Sequence, residues 1–447
     1  MQVIRRSGPG FDAAVSVSGV AANATVIGAS SVRGDGRDAI GAMLADGTCR
    51  STECRAPGSP ACQTGSVPTV NGMEGQYSGV MSTAEPEQEA ETMRAVVFEE
   101  VGEKMEVEEV ERPEPDPAGI VVETEACGIC RSDWHAWQGD WDWVGVMPTP
   151  GLIFGHEPVG IVSEVGEDVE DLSVGDRVCV PFNLSDGTCR YCKQGRANIC
   201  ERVIPLGFVS FQPGAFAEAF PVRNADHNVI TLPDDVNPVY VAGLGCRFAT
   251  AFHGLVHRVD VTPGDWVAVH GCGGVGLSAV HIADALGANV IAVDLAEDKL
   301  AKAEGLGADE TVDVTAVQDV PQAVKGHTES SRGVEVSVDA LGVAETCRNS
   351  VNSLCKGGQN LQIGLTTSEE EGEVSLPVDT IVMDEREFVG SFGMPPHEYE
   401  EIFAMMERGK IEPGRIVSET VSLEDVPDVI ASMDDYGTVG IPVCDEF

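Results

Sequence analysis

Apolar and polar positions set in a clear rhythm only from Met93 onward. MRAVVFEEVGE reads as a strand and turn, and GIVVETEACGIC as a strand running into a loop. GHEPVGIVSEVGEDVEDLSVGDRVCV supplies alternating strands broken by Gly-Asp turns, so this region leans to β-structure. From about residue 248 the rhythm changes to strands alternating with helices. WVAVHG is followed by a helix to about Leu286, then NVIAVD, a second helix, VEVSVDALG and LQIGL. Such alternation predicts a parallel, doubly wound sheet. No internal repeat is present.

The first 80 residues differ. They are rich in Gly, Ala, Ser and Val and show no sustained period. They hold six Arg, no Lys and six Asp plus Glu, so they are net neutral, and the chain's whole formal charge of −45 lies in residues 81–447. Three readings compete for this stretch: a disordered extension, an export signal with Arg5-Arg6 ahead of Ala13–Ala29, and a true start at Met81 or Met93. The break in charge favours the last, and Asp12 spoils the apolar part of a signal. Residues 1–92 are therefore expected to be disordered or non-native, and Cys49, Cys54 and Cys62 receive no role.

The acidity restricts function. With 28 basic against 73 acidic residues, and seven lysines against twenty-one arginines, the chain repels nucleic acid and anionic membranes. No run of eighteen apolar residues exists to span a bilayer. Salt screens such charge, since the Debye length is about 3 Å at 1 M. The surface reads as adapted to a high-salt cytoplasm. A chain this long with fourteen cysteines points to metal ligation rather than a disulfide scaffold.

Residues 271–276 read GCGGVG, between the strand Trp266–His270 and the helical run SAVHIADALGA. This is G-x-G-x-x-G in the context that a dinucleotide site needs. Gly271 makes the turn, Gly273 lets backbone approach a pyrophosphate, and Gly276 permits close packing. Gly274 and Val275 belong to the same cofactor-binding turn, and the helix N-terminus that follows supplies N–H groups and a positive dipole end. The next strand ends in Asp294, eighteen residues past Gly276. Its carboxylate suits the ribose hydroxyls of NAD and would repel a 2′-phosphate, and no Arg adjoins it.

Residues 126–135 read ACGICRSDWH. Alone, this could be a redox Cys-x-x-Cys pair, half of a zinc knuckle, or a corner of an active site. The redox reading is disfavoured because neither flank reads as the start of a helix that would lower a thiol pKa. His156 and Glu157 follow in GHE, and Cys246 precedes the nucleotide region in GLGCRFATAFHG. A Cys₂His set leaves one position open on tetrahedral zinc, as catalysis needs. Spacing alone does not join residues 130, 156 and 246.

A resemblance does. From Met93 onward the chain is similar to the zinc-dependent medium-chain alcohol dehydrogenases, through GICRSDWH, GHEPVGIVSEVG, a cysteine-rich lobe, LGCRFATAFHG, VAVHGCGGVG and GSFGMPP in family order. The resemblance implies a GroES-like β-rich catalytic domain over 93–247, a Rossmann domain over 248–395, and a return to the catalytic domain over 396–447. It implies that Cys130, His156 and Cys246 hold the catalytic zinc. Glu157 would stand behind the ligands or bind transiently, and Asp133 would orient His156. Ser132 would take the substrate proton, His135 would pass it to solvent, and Arg131 would touch the cofactor pyrophosphate. A homodimer or homotetramer is expected.

A second cluster, Cys189, Cys192 and Cys200, has C-x₂-C-x₇-C spacing. The family usually has a cysteine three residues earlier, closing a Cys₄ structural zinc; here that position is Asp186. A carboxylate can ligate zinc, so an occupied Asp-Cys₃ site is the expectation and a vestigial one the alternative. Trp134, Trp137, Trp141 and Trp143 crowd the stretch past Cys130. They serve either as packing or as the wall of an apolar substrate pocket. Cys272, Cys347, Cys355 and Cys444 read as small buried hydrophobes.

The expected reaction is transfer of a hydride between an alcohol (or its aldehyde or ketone) and NAD. The runner-up is a polyol, sugar or amino-acid dehydrogenase of the same zinc family. A zinc-free quinone reductase would lack these Cys and His residues, and a non-catalytic binding protein could have lost Ser132 or a ligand without penalty.

Overall fold

In a computed structural model, residues 91–435 and 437–447 are described. The expectations for residues 1–90, including Cys49, Cys54 and Cys62, lie outside them.

The first half is a β-rich body. Strand β1 (Thr92–Phe98) starts a three-stranded sheet. Strand β2 (Ile120–Gly128) leads to helix α1 (Arg131–Gln138), and β3 (Pro158–Val165) pairs antiparallel with β2 in a seven-stranded sheet. The helix α1 overturns the expectation of no helix beside the cysteine pair. Its caps are written locally: the Cys130 Sγ accepts from Ser132 N, the Asp133 carboxylate accepts from Cys130 N, and Gly139 closes the helix at φ 74°. The absence of an apolar repeat in RSDWHAWQ concealed it.

Helix α2 (Cys246–His253) crosses into the second half, so the expected boundary at 247/248 falls inside a helix. There β4 (Trp266–His270), helix α3 (Gly274–Leu286), β5 (Asn289–Asp294), β6 (Glu310–Asp313), β7 (Val334–Asp339), β8 (Leu354–Gln362) and β9 (Glu387–Gly390) follow. The six strands form an all-parallel sheet in the order β6-β5-β4-β7-β8-β9. The order reverses between β4 and β7, and a crevice opens there at the strands' carboxyl ends. The short β6 and β9 lacked a clear sequence pattern.

The chain then returns. Strands β10 (Val417–Ser422) and β11 (Ile441–Glu446) pair parallel, and β11 lies antiparallel to β2, with Cys444 opposite Cys127. One apolar core joins Ala126 and Val443 of the first sheet to Val269 and Leu361 of the second through Phe248 and Phe252 of α2. Cys246, at the start of α2, is thereby held between both halves.

Candidate active site

Three distant segments converge at the mouth of the crevice. Cys130 caps α1, His156 precedes β3, and Cys246 opens α2. One ligand atom from each of Cys130, His156, Glu157 and Cys246 lies within 4.8 Å of all the others. Asp133 Oδ1 meets His156 Nδ1 at 2.8 Å, in full burial. That fixes the ring and leaves Nε2 buried without a hydrogen-bond partner. An orphaned imidazole nitrogen beside two thiols is costly unless something binds it, and a zinc ion fits the donor set. Burial opposes ionisation of the Cys130 thiol, but Cys246, Arg247 and His156 outweigh it and hold Cys130 well below the usual thiol range. Cys127, within β2, instead packs in the core of the first half, so it stands apart from this cluster. The redox reading fails on that placement, not on the missing helix invoked for it.

Glu157 is held by a residue that the sequence reading missed. Arg247 donates to Glu157 from its backbone N at 3.2 Å, from Nε at 3.1 Å and from Nη2. Both side chains are buried. Burial raises the Glu157 pKa, and the guanidinium opposes that rise. Arg247 also abuts the nucleotide turn: a Cβ on Gly274 would lie 2.5 Å from Arg247 Cδ. Its place directly after Cys246 was the available signal.

Ser132 and His135 project from α1 and line a cavity of about 430 Å³ that also exposes Cys130, His156 and Cys246. His135 Nδ1 lies 2.9 Å from Asp140 Oδ2, and its ring stacks on Trp141 at 5.1 Å. Burial lowers the His135 pKa, with Asp140 resisting.

The cavity is also lined by Gly273, Gly274, Val275, Asp294, Lys299 and Arg131. Gly271 sits at φ 92°, where β-carbons are disfavoured. A Cβ on Gly276 would fall 1.7 Å from Gly271 O, so only glycine lets α3 pack so close to the turn. A Cβ on Gly273 would meet nothing within 4 Å, leaving its backbone open to a ligand. Asp294 is held rigid: Oδ2 accepts from Cys272 N at 2.7 Å, and Oδ1 from Leu295 N and Ala296 N. Arg131 donates to Met433 O at 2.5 Å and stacks on Trp134, so it stands at the edge of the crevice. This open turn at a helix N-terminus fits a dinucleotide.

Known proteins are similar to this chain. Residues 116–234 match the alcohol dehydrogenase GroES-like domain, and residues 274–408 the zinc-binding dehydrogenase domain. An alcohol dehydrogenase of Geobacillus stearothermophilus is 33% identical over 344 residues, covering 76% of this chain and 96% of its own. The chain belongs to the zinc-dependent medium-chain alcohol dehydrogenase family. Among solved structures, the alcohol dehydrogenase TADH of Thermus sp. ATN1 is 30% identical with a TM-score of 0.71, over 79% of this chain and all (100%) of its own. A zinc-binding dehydrogenase of Sinorhizobium meliloti 1021, solved with NADP, is 33% identical with a TM-score of 0.70, over 79% and 99%. As a member of this family the protein is an oxidoreductase.

The second cluster of this alcohol dehydrogenase comes from one short loop. Donor atoms of Asp186, Cys189, Cys192 and Cys200 lie within 4.8 Å of one another. Cys189 Sγ is 3.4 Å from Cys192 Sγ and 3.9 Å from Cys200 Sγ. Four ligands at Zn–S of about 2.3 Å, arranged tetrahedrally, stand about 3.8 Å apart, so the thiols fit zinc. The backbone N–H groups of Cys192 and others pull Cys189 down to about 7. Asp186 does more than face the thiols. Its Oδ1 accepts from Thr188 N at 2.7 Å and Cys189 N at 3.0 Å, and lies 3.5 Å from Cys192 Sγ; Oδ2 pairs with Arg202. Those bonds, led by the one from Cys189 N, hold its pKa below the usual carboxylate range.

The four tryptophans divide. Trp137 is buried core and donates to Glu103 O, and Trp134 packs at the surface against Arg131. Trp141 and Trp143 line the cavity. Cys272, Cys347 and Cys444 are buried, but Cys355 is half-buried, which corrects its reading as a core residue. It sits near the start of β8.

Proposed function

We propose that this enzyme reversibly oxidises an alcohol to an aldehyde or ketone with NAD, and that Cys130, His156 and Cys246 hold its catalytic zinc. The orphaned Nε2 of His156, aimed among two thiols at the wall of a cavity that also bares the GCGGVG turn, carries the reading. Bound there, zinc would supply a Lewis acid that lowers the pKa of the substrate hydroxyl. Asp133 fixes the His156 tautomer. Ser132 Oγ accepts the substrate proton, and His135, kept neutral by burial, relays it to Asp140 and solvent. Arg247 keeps Glu157 behind the ligands. Asp294, immobilised by three backbone N–H groups, accepts from ribose hydroxyls and disfavours NADP. Asp186, Cys189, Cys192 and Cys200 hold a structural zinc.

The test measures zinc per chain and the absorbance of reduced cofactor across an alcohol panel, with NAD and NADP. About two zinc ions and a kcat/KM favouring NAD are expected. Full turnover after rigorous metal removal would overturn the zinc assignment, and a preference for NADP would overturn the role of Asp294.

The acidity supports a high-salt setting, and the eleven described cysteines, all free thiols, support a reducing cytoplasm. Melting temperature should rise from dilute buffer to molar KCl; a flat or falling curve above about 0.2 M, where the Debye length is already below 8 Å, would remove that reading. A homo-oligomer is supported by the apolar residues Val382, Met383 and Phe388, exposed on and beside edge strand β9.

A further inference from the structure

Part of the cavity wall is a continuous belt of rings. Trp141 lies 6.4 Å from Phe208, Phe208 lies 4.9 Å from the His156 imidazole, His156 lies 6.0 Å from Phe182, and Phe182 lies 5.6 Å from Phe392. Each of these rings borders the cavity. The belt passes through a residue of the metal cluster, so whatever places a hydroxyl there rests its carbon skeleton on aromatic faces. Trp143 closes the outer end. It reaches across the crevice to the loop around Gly372, where a Cβ would come within 2.7 Å of the indole.

Ser132 and His135 line the cavity, and so do Thr250, Thr367 and Ser391, whose hydroxyls already donate to Cys246 O, to Glu370 Oε2 and to Thr250 O. The buried Nε1 atoms of Trp141 and Trp143 have no partner. They are donors only. The hydroxyls of a polyol need acceptors too, and the rings offer none. A buried hydroxyl without a partner costs roughly tenfold in binding or more. An ethyl group, in turn, would leave most of the belt untouched.

We propose that the substrate is an alcohol whose carbinol carbon bears an aromatic or other bulky apolar ring, with Trp141, Trp143, Phe182, Phe208 and Phe392 setting that preference. This rests on the alcohol dehydrogenase reading above. The ring packs against the belt at the 4.5–7 Å separations usual for aromatic pairs, and replaces water that the apolar wall binds poorly.

The test is a kcat/KM panel on the zinc-loaded, full-length enzyme, with ethanol, benzyl alcohol, cinnamyl alcohol and sorbitol, each with NAD and with NADP. The benzyl or cinnamyl value should exceed that for ethanol by about 100-fold or more, since each methylene in such a pocket is worth tenfold or better, and sorbitol should fall below ethanol. Trp143→Ala and Phe392→Ala, both at partly exposed positions, should each lower the benzyl-to-ethanol ratio by about tenfold. Ethanol equal to the ring alcohols, sorbitol preferred, or an unchanged ratio in both variants overturns the inference and leaves the dehydrogenase reading standing. No turnover of any alcohol with either cofactor overturns both.

Discussion

The two cysteine clusters both combine thiols with one carboxylate, and only the first adds an imidazole, yet they are built in opposite ways. One draws Cys130, His156, Glu157 and Cys246 from three segments and lies on a cavity. The other draws Asp186, Cys189, Cys192 and Cys200 from a single loop, and none of its residues reaches that cavity. Their carboxylates differ as well. Glu157 is buried against Arg247, and burial raises its pKa. Asp186 is tied to backbone N–H groups and its pKa is lowered. A site that must admit substrate needs a cavity shaped by both halves of the fold. A site that only staples a loop can be written within it.

The sharpest way to break the comparison is to remove a thiol from each. Cys246→Ser should cut kcat by about 10³-fold or more, because the proposed catalytic zinc then loses one of its three ligands. Cys192→Ser should leave a measurable kcat but lower zinc to about one ion per chain and the melting temperature by several degrees, since metal binding is folding free energy at such sites. If Cys192→Ser abolishes kcat at full stability, the division of roles is wrong.

Arg247→Ala leaves Glu157 buried and unpaired, at a cost of about 3–5 kcal/mol. Chemical denaturation should show it, and Arg247→Ala/Glu157→Gln should recover part of the loss by removing the second charge. Recovery of nothing would mean that the guanidinium acts by packing against Gly274 rather than through Glu157.

Asp186→Asn is gentler. Asparagine keeps an Oδ1 acceptor for Thr188 N and Cys189 N but removes the ligand charge and the exposed Arg202 pair, which contributes little. Zinc should be lost to a chelator about tenfold faster if the carboxylate is a ligand. An unchanged rate would make Asp186 a loop staple only.

The smallest effect is on pH. Burial depresses the His135 pKa below its ordinary 6.5, so the neutral, proton-accepting ring persists to lower pH. Its share of stability is complete above pH 6.5 and is lost as pH falls. The acid limb of kcat/KM should lie below 6.5. Asp140 resists the depression, so Asp140→Asn should move that limb lower still, by about half a unit. A shift upward would show that Asp140 does not stabilise the imidazolium.

The nucleotide turn and the loop cluster were legible because each is contiguous. GCGGVG between a strand and a helix states its own geometry, and Gly276 against Gly271 O shows why no other residue serves. C-x₂-C-x₇-C likewise predicts thiols in contact. Helix α1 was not legible: its caps, Cys130 and Gly139, are weak signals beside a tryptophan-rich run with no apolar period. Arg247 was missed because a charged residue after a ligand cysteine looks solvated until Glu157 is found facing it.

Sequence by itself determined the periodicities, the family, the acidic surface and the local chemistry of each motif, because these depend on neighbours within a few residues. Tertiary structure brings Cys130, as the resemblance implied, and not Cys127 to His156, and it alone decided which tryptophans face the cavity and that Arg247 joins the metal cluster to the nucleotide turn. Those outcomes depend on how β2, α1 and α2 pack across a shared core. Residues 90 or more apart along the chain meet there through burial, and no pattern along one segment records its distance to another.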